Sequence, residues 1–194
     1  IENPEISGNV TTIKRTEKGF NGKLVNTTLL PEKSVISKVG GDGGEYTVNG
    51  KNYPNRDYAG MDTEGAKWRI EISPATENVN DVFLNAMYMT DADKELAKLP
   101  MEMVKNSKMT GVSVRDRVVM FANEASRIKD SMSVVIPDNG FETVSVMLAD
   151  MEAGVWSIAD ADTEFVAEVK EDEGVFYFEV KPGTYKISPA QDKT

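Results

Sequence analysis

Apolar and polar positions alternate most clearly between Glu64 and Asp93. Trp68, Ile70 and Ile72 fall on one side of the alternation, with Lys67, Arg69 and Glu71 on the other. Period two is the signature of a strand with one buried face, and Pro74 ends its ladder because proline has no N–H to donate. A turn-rich stretch over Ala75–Asp81 leads to Val82–Met89, a nearly unbroken apolar run. That run suits a strand buried on both faces; eight residues are short for the rival reading, a helix. The two strands are expected to form the centre of an antiparallel sheet.

The rest of the chain reads as shorter strands between turn signals. Val10–Thr16, Lys23–Leu30 and Ser34–Val39 precede a glycine-rich loop at Gly40–Gly44. Asn49-Gly50 is the strongest short hairpin signal, between Glu45–Val48 and Lys51–Tyr53. Asp91–Leu99 predicts the one short helix, closed by Pro100. Nine further strands are expected between Met101 and Ile187, at roughly ten-residue spacing. The fold class is therefore all-β: an antiparallel β-sandwich with one short helix, taken as a single domain over 1–194. One local echo supports this. DMEAGVWSI (150–158) matches EVKPGTYKI (179–187), aligning Gly154 with Gly183, Trp156 with Tyr185 and Ile158 with Ile187. Each copy reads as a glycine turn followed by a strand opening on a buried aromatic. Trp68 and Trp156 both read as core.

Composition removes whole classes of chemistry. The 194 residues contain no cysteine and no histidine. Disulfides and thiolate metal sites are excluded, as are the commonest general base, the commonest zinc ligand and every His-dependent nucleophile. Lys and Arg number 22 against 32 Asp and Glu, a formal charge of −10. Nucleic acid and anionic membrane are therefore not expected partners, and no apolar run approaches a membrane span. The opening IENPEISGN shows neither a basic start nor an apolar segment; the chain reads as processed, or as a piece of a longer protein.

Several segments, in this order, resemble the C-terminal region of heparinase II/III-type polysaccharide lyases. They are PEISGN (4–9), GKLVNTTLLPEKSVISKVGG (22–41), VNGKNYP (48–54), WRIEISP (68–74), DVFLNAMYMTDA (81–92), ADMEAGVWSI (149–158) and FEVKPGTYKI (178–187). In that family a helical toroid carries most of the lyase chemistry and a β-sandwich follows it. Nothing here resembles the toroid, and the family's catalytic and metal-binding histidines have no counterpart to carry over. The resemblance implies a non-catalytic accessory domain of a secreted or cell-surface bacterial enzyme. Its partners would be the toroid of the parent chain and, weakly, an acidic polysaccharide such as alginate or another uronic acid polymer. An independent carbohydrate-binding module or adhesin domain is the alternative. No catalytic residue, metal or cofactor is expected.

Three residues read as the carbohydrate-binding patch: Tyr53, Arg56 and Tyr58, in a loop rich in Asn, Asp and Gly. Aromatic faces stack on sugar rings, and arginine pairs with carboxylates bidentately. Arg127, in a charged loop, reads as outside the patch, so its replacement is expected to leave binding unchanged. Asp160, Asp162 and Glu164 could offer oxygen ligands to calcium, although a solvated strand edge explains them better. Arg115-Asp116-Arg117 reads as an exposed turn. Glu142–Glu173 holds ten acidic residues and one lysine, so an anionic sugar is expected to bind elsewhere.

Overall fold

The computed structural model describes residues 2–54, 67–95 and 101–190. They are all-β, with no helix among them. The chain divides into two compact units, 1–95 and 96–194. Asp91–Glu95, the first half of the expected helix, forms a turn; residues 96–100 lie outside the described residues.

Unit 1 contains β1 (Glu5–Ser7), β2 (Val10–Arg15), β3 (Gly22–Leu30), β4 (Ser34–Gly40), β5 (Thr47–Val48), β6 (Lys51–Asn52), β7 (Trp68–Pro74) and β8 (Leu84–Thr90). The antiparallel sheet β1-β2-β3-β8 is joined by two ribbons, β4-β7 and β5-β6. Asn49-Gly50 turns the β5-β6 hairpin, both residues at positive φ.

The expected central pair does not form. β7 pairs with β4, and β8 pairs with β3 at the edge of its sheet. Nor is β8 buried on both faces: Met87 is 68% and Met89 77% exposed, and Val82 and Phe83 before them are exposed too. Apolar alternation specifies which face a strand buries. It does not name the neighbouring strand, because any strand of matching pattern satisfies it.

Unit 1 buries polar side chains. Among its described residues Thr11, Asn26 and Thr28 are buried together with Pro4, whereas Leu, Ile, Val, Met and aromatic side chains are at most partly buried. Thr28 Oγ1 donates to Asn85 Oδ1 at 2.8 Å, and Asn26 Nδ2 reaches the same oxygen at 3.2 Å. Thr11, directly across from Asn26, buries its hydroxyl with no protein partner. Removing an unpaired buried hydroxyl relieves a desolvation cost, so Thr11→Val should leave stability unchanged or raise it by up to about 1 kcal/mol. Urea unfolding checks this; a loss above about 1 kcal/mol would mean that a bound water satisfies the hydroxyl.

Unit 2 contains β9 (Met101–Lys105), β10 (Met109–Val114), β11 (Arg117–Ala122), β12 (Met132–Ile136), β13 (Val144–Leu148), β14 (Gly154–Ala159), β15 (Glu164–Val169), β16 (Phe176–Val180) and β17 (Gly183–Pro189). One sheet runs β16-β13-β11-β10-β9 and the other β12-β17-β14-β15. All pairings are antiparallel except β11 with β13. Alternate residues of both sheets meet in one core that includes Met109, Met120, Val134, Leu148, Trp156, Ile158, Phe176, Phe178 and Ile187. Each large side chain fully buried there contributes about 1.5–3 kcal/mol, which makes unit 2 the firmly packed part of the chain.

The sequence echo has a structural counterpart in this core. Trp156 Nε1 donates to the carbonyl of Glu152 at 3.0 Å, and Tyr185 Oη donates to the carbonyl of Lys181 at 3.0 Å. Both bonds reach four residues back, across the aligned glycines. β14 and β17 lie side by side with Ile158 opposite Ile187. The likeness stops at the backbone: Gly154 has φ +128, but Gly183 is not at positive φ, so only the first turn requires glycine.

Candidate functional site

The patch expected at Tyr53, Arg56 and Tyr58 is described at one residue only. Tyr53 follows the β5-β6 hairpin and is 56% exposed, with Lys51 Nζ 4.9 Å from its ring centre. Arg56 and Tyr58 lie outside the described residues. Trp68 is half-buried rather than core; its ring lies against Gly41, with Lys38 Nζ 5.4 Å from the ring centre. Trp156 is core, 2% exposed.

The acidic loop before β15 satisfies itself. Asp160 Oδ1 accepts from the backbone N–H of Asp162 and of Thr163 and from the Thr163 hydroxyl, at 2.7–2.9 Å. These bonds, the Asp162 N–H first, hold its pKa below the ordinary carboxylate value. The bonds stabilise the loop above the unfolded carboxylate pKa, and that contribution is lost as pH falls through the lowered one. Burial, and then the Asp160 carboxylate nearby, push the Tyr185 phenol up. No group of three or more acidic side chains suited to a metal occurs among the described residues. Arg115-Asp116 forms the turn between β10 and β11, as read from the sequence.

Unit 2 has a polar cleft of about 300 Å³ at one end of its five-stranded sheet. Its walls are the turn at Ser107–Lys108 and the loop Asn123–Asp130. Asn106 builds the first wall: its Oδ1 accepts from the backbone N–H of Lys108 and Met109, both at 2.8 Å, and its Nδ2 donates to the Ser133 carbonyl at 2.9 Å. Asn123 starts the second, its N–H donating to the Lys108 carbonyl at 2.8 Å and its Oδ1 accepting from Thr110 Oγ1 at 2.7 Å. Ile128 fixes the far end by packing on the core and exchanging backbone bonds with Asp150 and Glu152.

Three cations and two carboxylates line this cleft: Lys108, Arg127 and Lys129, with Glu124 and Asp130. In a chain of charge −10 a lining with more positive than negative groups stands out. Lys108 Nζ pairs with Asp130 Oδ2 at 3.1 Å. Arg127 donates to the Glu171 carbonyl at 3.2 Å, with its guanidinium close beside Gly174. Lys129 is exposed and has no side-chain partner among the described residues. Such a lining can hold an anionic group by charge and hydrogen bonds; it offers no nucleophile–base pair. Arg127, expected from the sequence to lie outside any site, is exposed and lines the cleft. The signal was the pair of short basic stretches, KNSK (105–108) and RIKD (127–130), in an acidic chain.

Unit 2 is a β-sandwich with a cleft lined by charged and polar side chains. Residues 103–189, nearly the whole of unit 2, match the family model of the heparinase II C-terminal domain. The resemblance to the C-terminal region of heparinase-type lyases is thereby borne out over that span. Comparison with curated proteins gives no match.

Proposed function

We propose that this chain is a non-catalytic accessory part of a heparinase II-like polysaccharide lyase, secreted or at the bacterial surface, and that it contacts acidic polysaccharide at the cleft of unit 2. The observation that carries the reading is the heparinase II C-terminal family match over the span that contains the cationic cleft. Lys129 and Arg127 supply charge to a carboxylate or sulfate, and Ser107, Asn123 and Ser126 supply hydrogen-bonding groups to sugar hydroxyls. With no histidine, the cleft has no imidazole to abstract the uronate proton.

An accessory role is favoured over an independent module by unit 1. Val82, Phe83, Met87 and Met89 leave an exposed apolar stretch, the mark of a surface that another domain covers. The partner proposed for it is the catalytic toroid.

Calorimetry with size-defined heparin and alginate oligomers tests the cleft. Lys129→Ala and Arg127→Ala should each weaken binding by about 1 kcal/mol, or about fivefold. Affinity should change little between low and physiological salt, because screening relieves the repulsion of the whole chain while it weakens the local pairs. Indifference to both variants, with loss on Tyr53→Ala, would move the site to the hairpin of unit 1. Absence of binding to every polymer would leave the chain a purely structural domain.

A further inference from the structure

The five-stranded sheet of unit 2 has an outer face, turned away from the core. Its registers align Tyr177 with Met147, Met147 with Val119, Val119 with Val112, and Val112 with Met103. Five apolar side chains thus form one row across five strands. The aliphatic members are sheltered or half-buried, but Tyr177 is 53% exposed, and Phe121, on the same face, is 44% exposed. Mixed rows flank it: Glu179, Ser145 and Arg117 continue into Val114 and Met101 on one side, and Phe121, Thr110 and Lys105 lie on the other.

This face runs into the cleft. Arg117, Val119 and Phe121 point outward from β11, and Asn123 continues their alternation beyond its end. Asn123 bonds Thr110 on this face and also lines the cleft. Phe121 is about 7 Å along the strand from Asn123, and Tyr177 is about 12 Å from Phe121 by strand rise and spacing. The Tyr177 hydroxyl donates to Glu179 Oε1 at 3.3 Å, an oxygen that also accepts from Ser145 Oγ at 3.3 Å. That bond fixes the tip of the ring. The Arg117 guanidinium is largely exposed and lies 3.9 Å from the Asp116 carboxylate, beyond hydrogen-bonding distance.

We propose that this face is a stacking track for an acidic polysaccharide that leads into the cleft. Sugar rings lie on Tyr177 and Phe121, Arg117 takes a carboxylate, and a further charged group enters the cleft at Lys129. Charge and shape favour this occupant. A polyuronate offers alternating apolar ring faces and carboxylates, and the track offers spaced aromatic rings, an exposed guanidinium held only loosely by Asp116, and continuity with a cationic cleft. The proposal rests on the polysaccharide reading above and extends it from one charged group to a run of sugars.

Chain length separates the two. Heparin and alginate disaccharides, and longer oligomers of each, are titrated into the full chain, its Lys129→Ala variant and the double variant Tyr177→Ser, Phe121→Ser. Both rings are exposed, so the double variant should keep the parent's circular dichroism. It should weaken the long oligomers about tenfold and leave disaccharide binding unchanged; Lys129→Ala should weaken both. Long-oligomer affinity untouched by the double variant, but reduced by Lys129→Ala, would overturn the track and leave the cleft standing. Wild-type protein that binds no oligomer would overturn both. A dimer in sedimentation that the double variant dissolves would also overturn the track, by making the face a contact between copies.

Discussion

Trp156→Ala should cost roughly 3–5 kcal/mol, the usual range for truncating a buried large aromatic. The indole is 2% exposed and packs against Phe176 with ring centres 6.4 Å apart. Its N–H holds the Glu152 carbonyl, so truncation opens a cavity and also frees a backbone acceptor at the turn into β14. Trp156→Phe should recover most of the packing and still lose the bond, worth about 1 kcal/mol. Trp68→Ala should cost distinctly less, because that ring is half-buried beside Lys38 in unit 1. Urea unfolding followed by circular dichroism compares the variants. Equal losses at Trp68 and Trp156 would mean that unit 1 is packed as firmly as unit 2. Unit 2 holds the packed core beside the cleft, whereas unit 1 leaves Val82, Phe83, Met87 and Met89 exposed.

Strands were legible in this sequence where their pattern is local. The alternation placed Trp68, Ile70 and Ile72 on one side of β7, and Asn49-Gly50 announced its hairpin. Pairing was not legible, because partners are chosen by the whole sheet. β7 joined β4, and β11 joined β13 in parallel across an intervening strand of the other sheet. The burial of Val82–Met89 was misread for a related reason. Its apolar residues say that the run is able to be covered on both faces, and in the described structure Met87 and Met89 are not. The cleft was obscure because it is built by hydrogen bonds from the Asn106 side chain and the Asn123 and Ile128 backbones, between loops distant in sequence. The outer track was obscure because Tyr177, Phe121 and Arg117 come together only through the register of β11, β13 and β16.

Gly111→Ala should destabilise unit 2 by at least about 3 kcal/mol, at the upper end of what overpacking costs. Gly111 sits in β10 opposite Met120, buried in the sheet. A Cβ there would overlap the carbonyl oxygen of Val119 and lie 2.6 Å from Met120 Cα. These are backbone atoms of β11, so no rotamer change relieves the overlap. β10 and β11 would have to part, breaking ladder bonds under the row that contains Val112 and Val119. Gly183→Ala is the control. Its Cβ would meet the Tyr185 ring at 3.5 Å, an ordinary contact, and the backbone there is not left-handed. It should stay within about 1 kcal/mol of the parent, although the sequence echo aligns Gly183 with the turn glycine Gly154. Because β11 holds both Phe121 and the strand end that leads to Asn123, Gly111→Ala should also weaken oligomer binding while Gly183→Ala leaves it intact. A mild Gly111→Ala variant with full binding would show that β10 and β11 separate without disturbing the face.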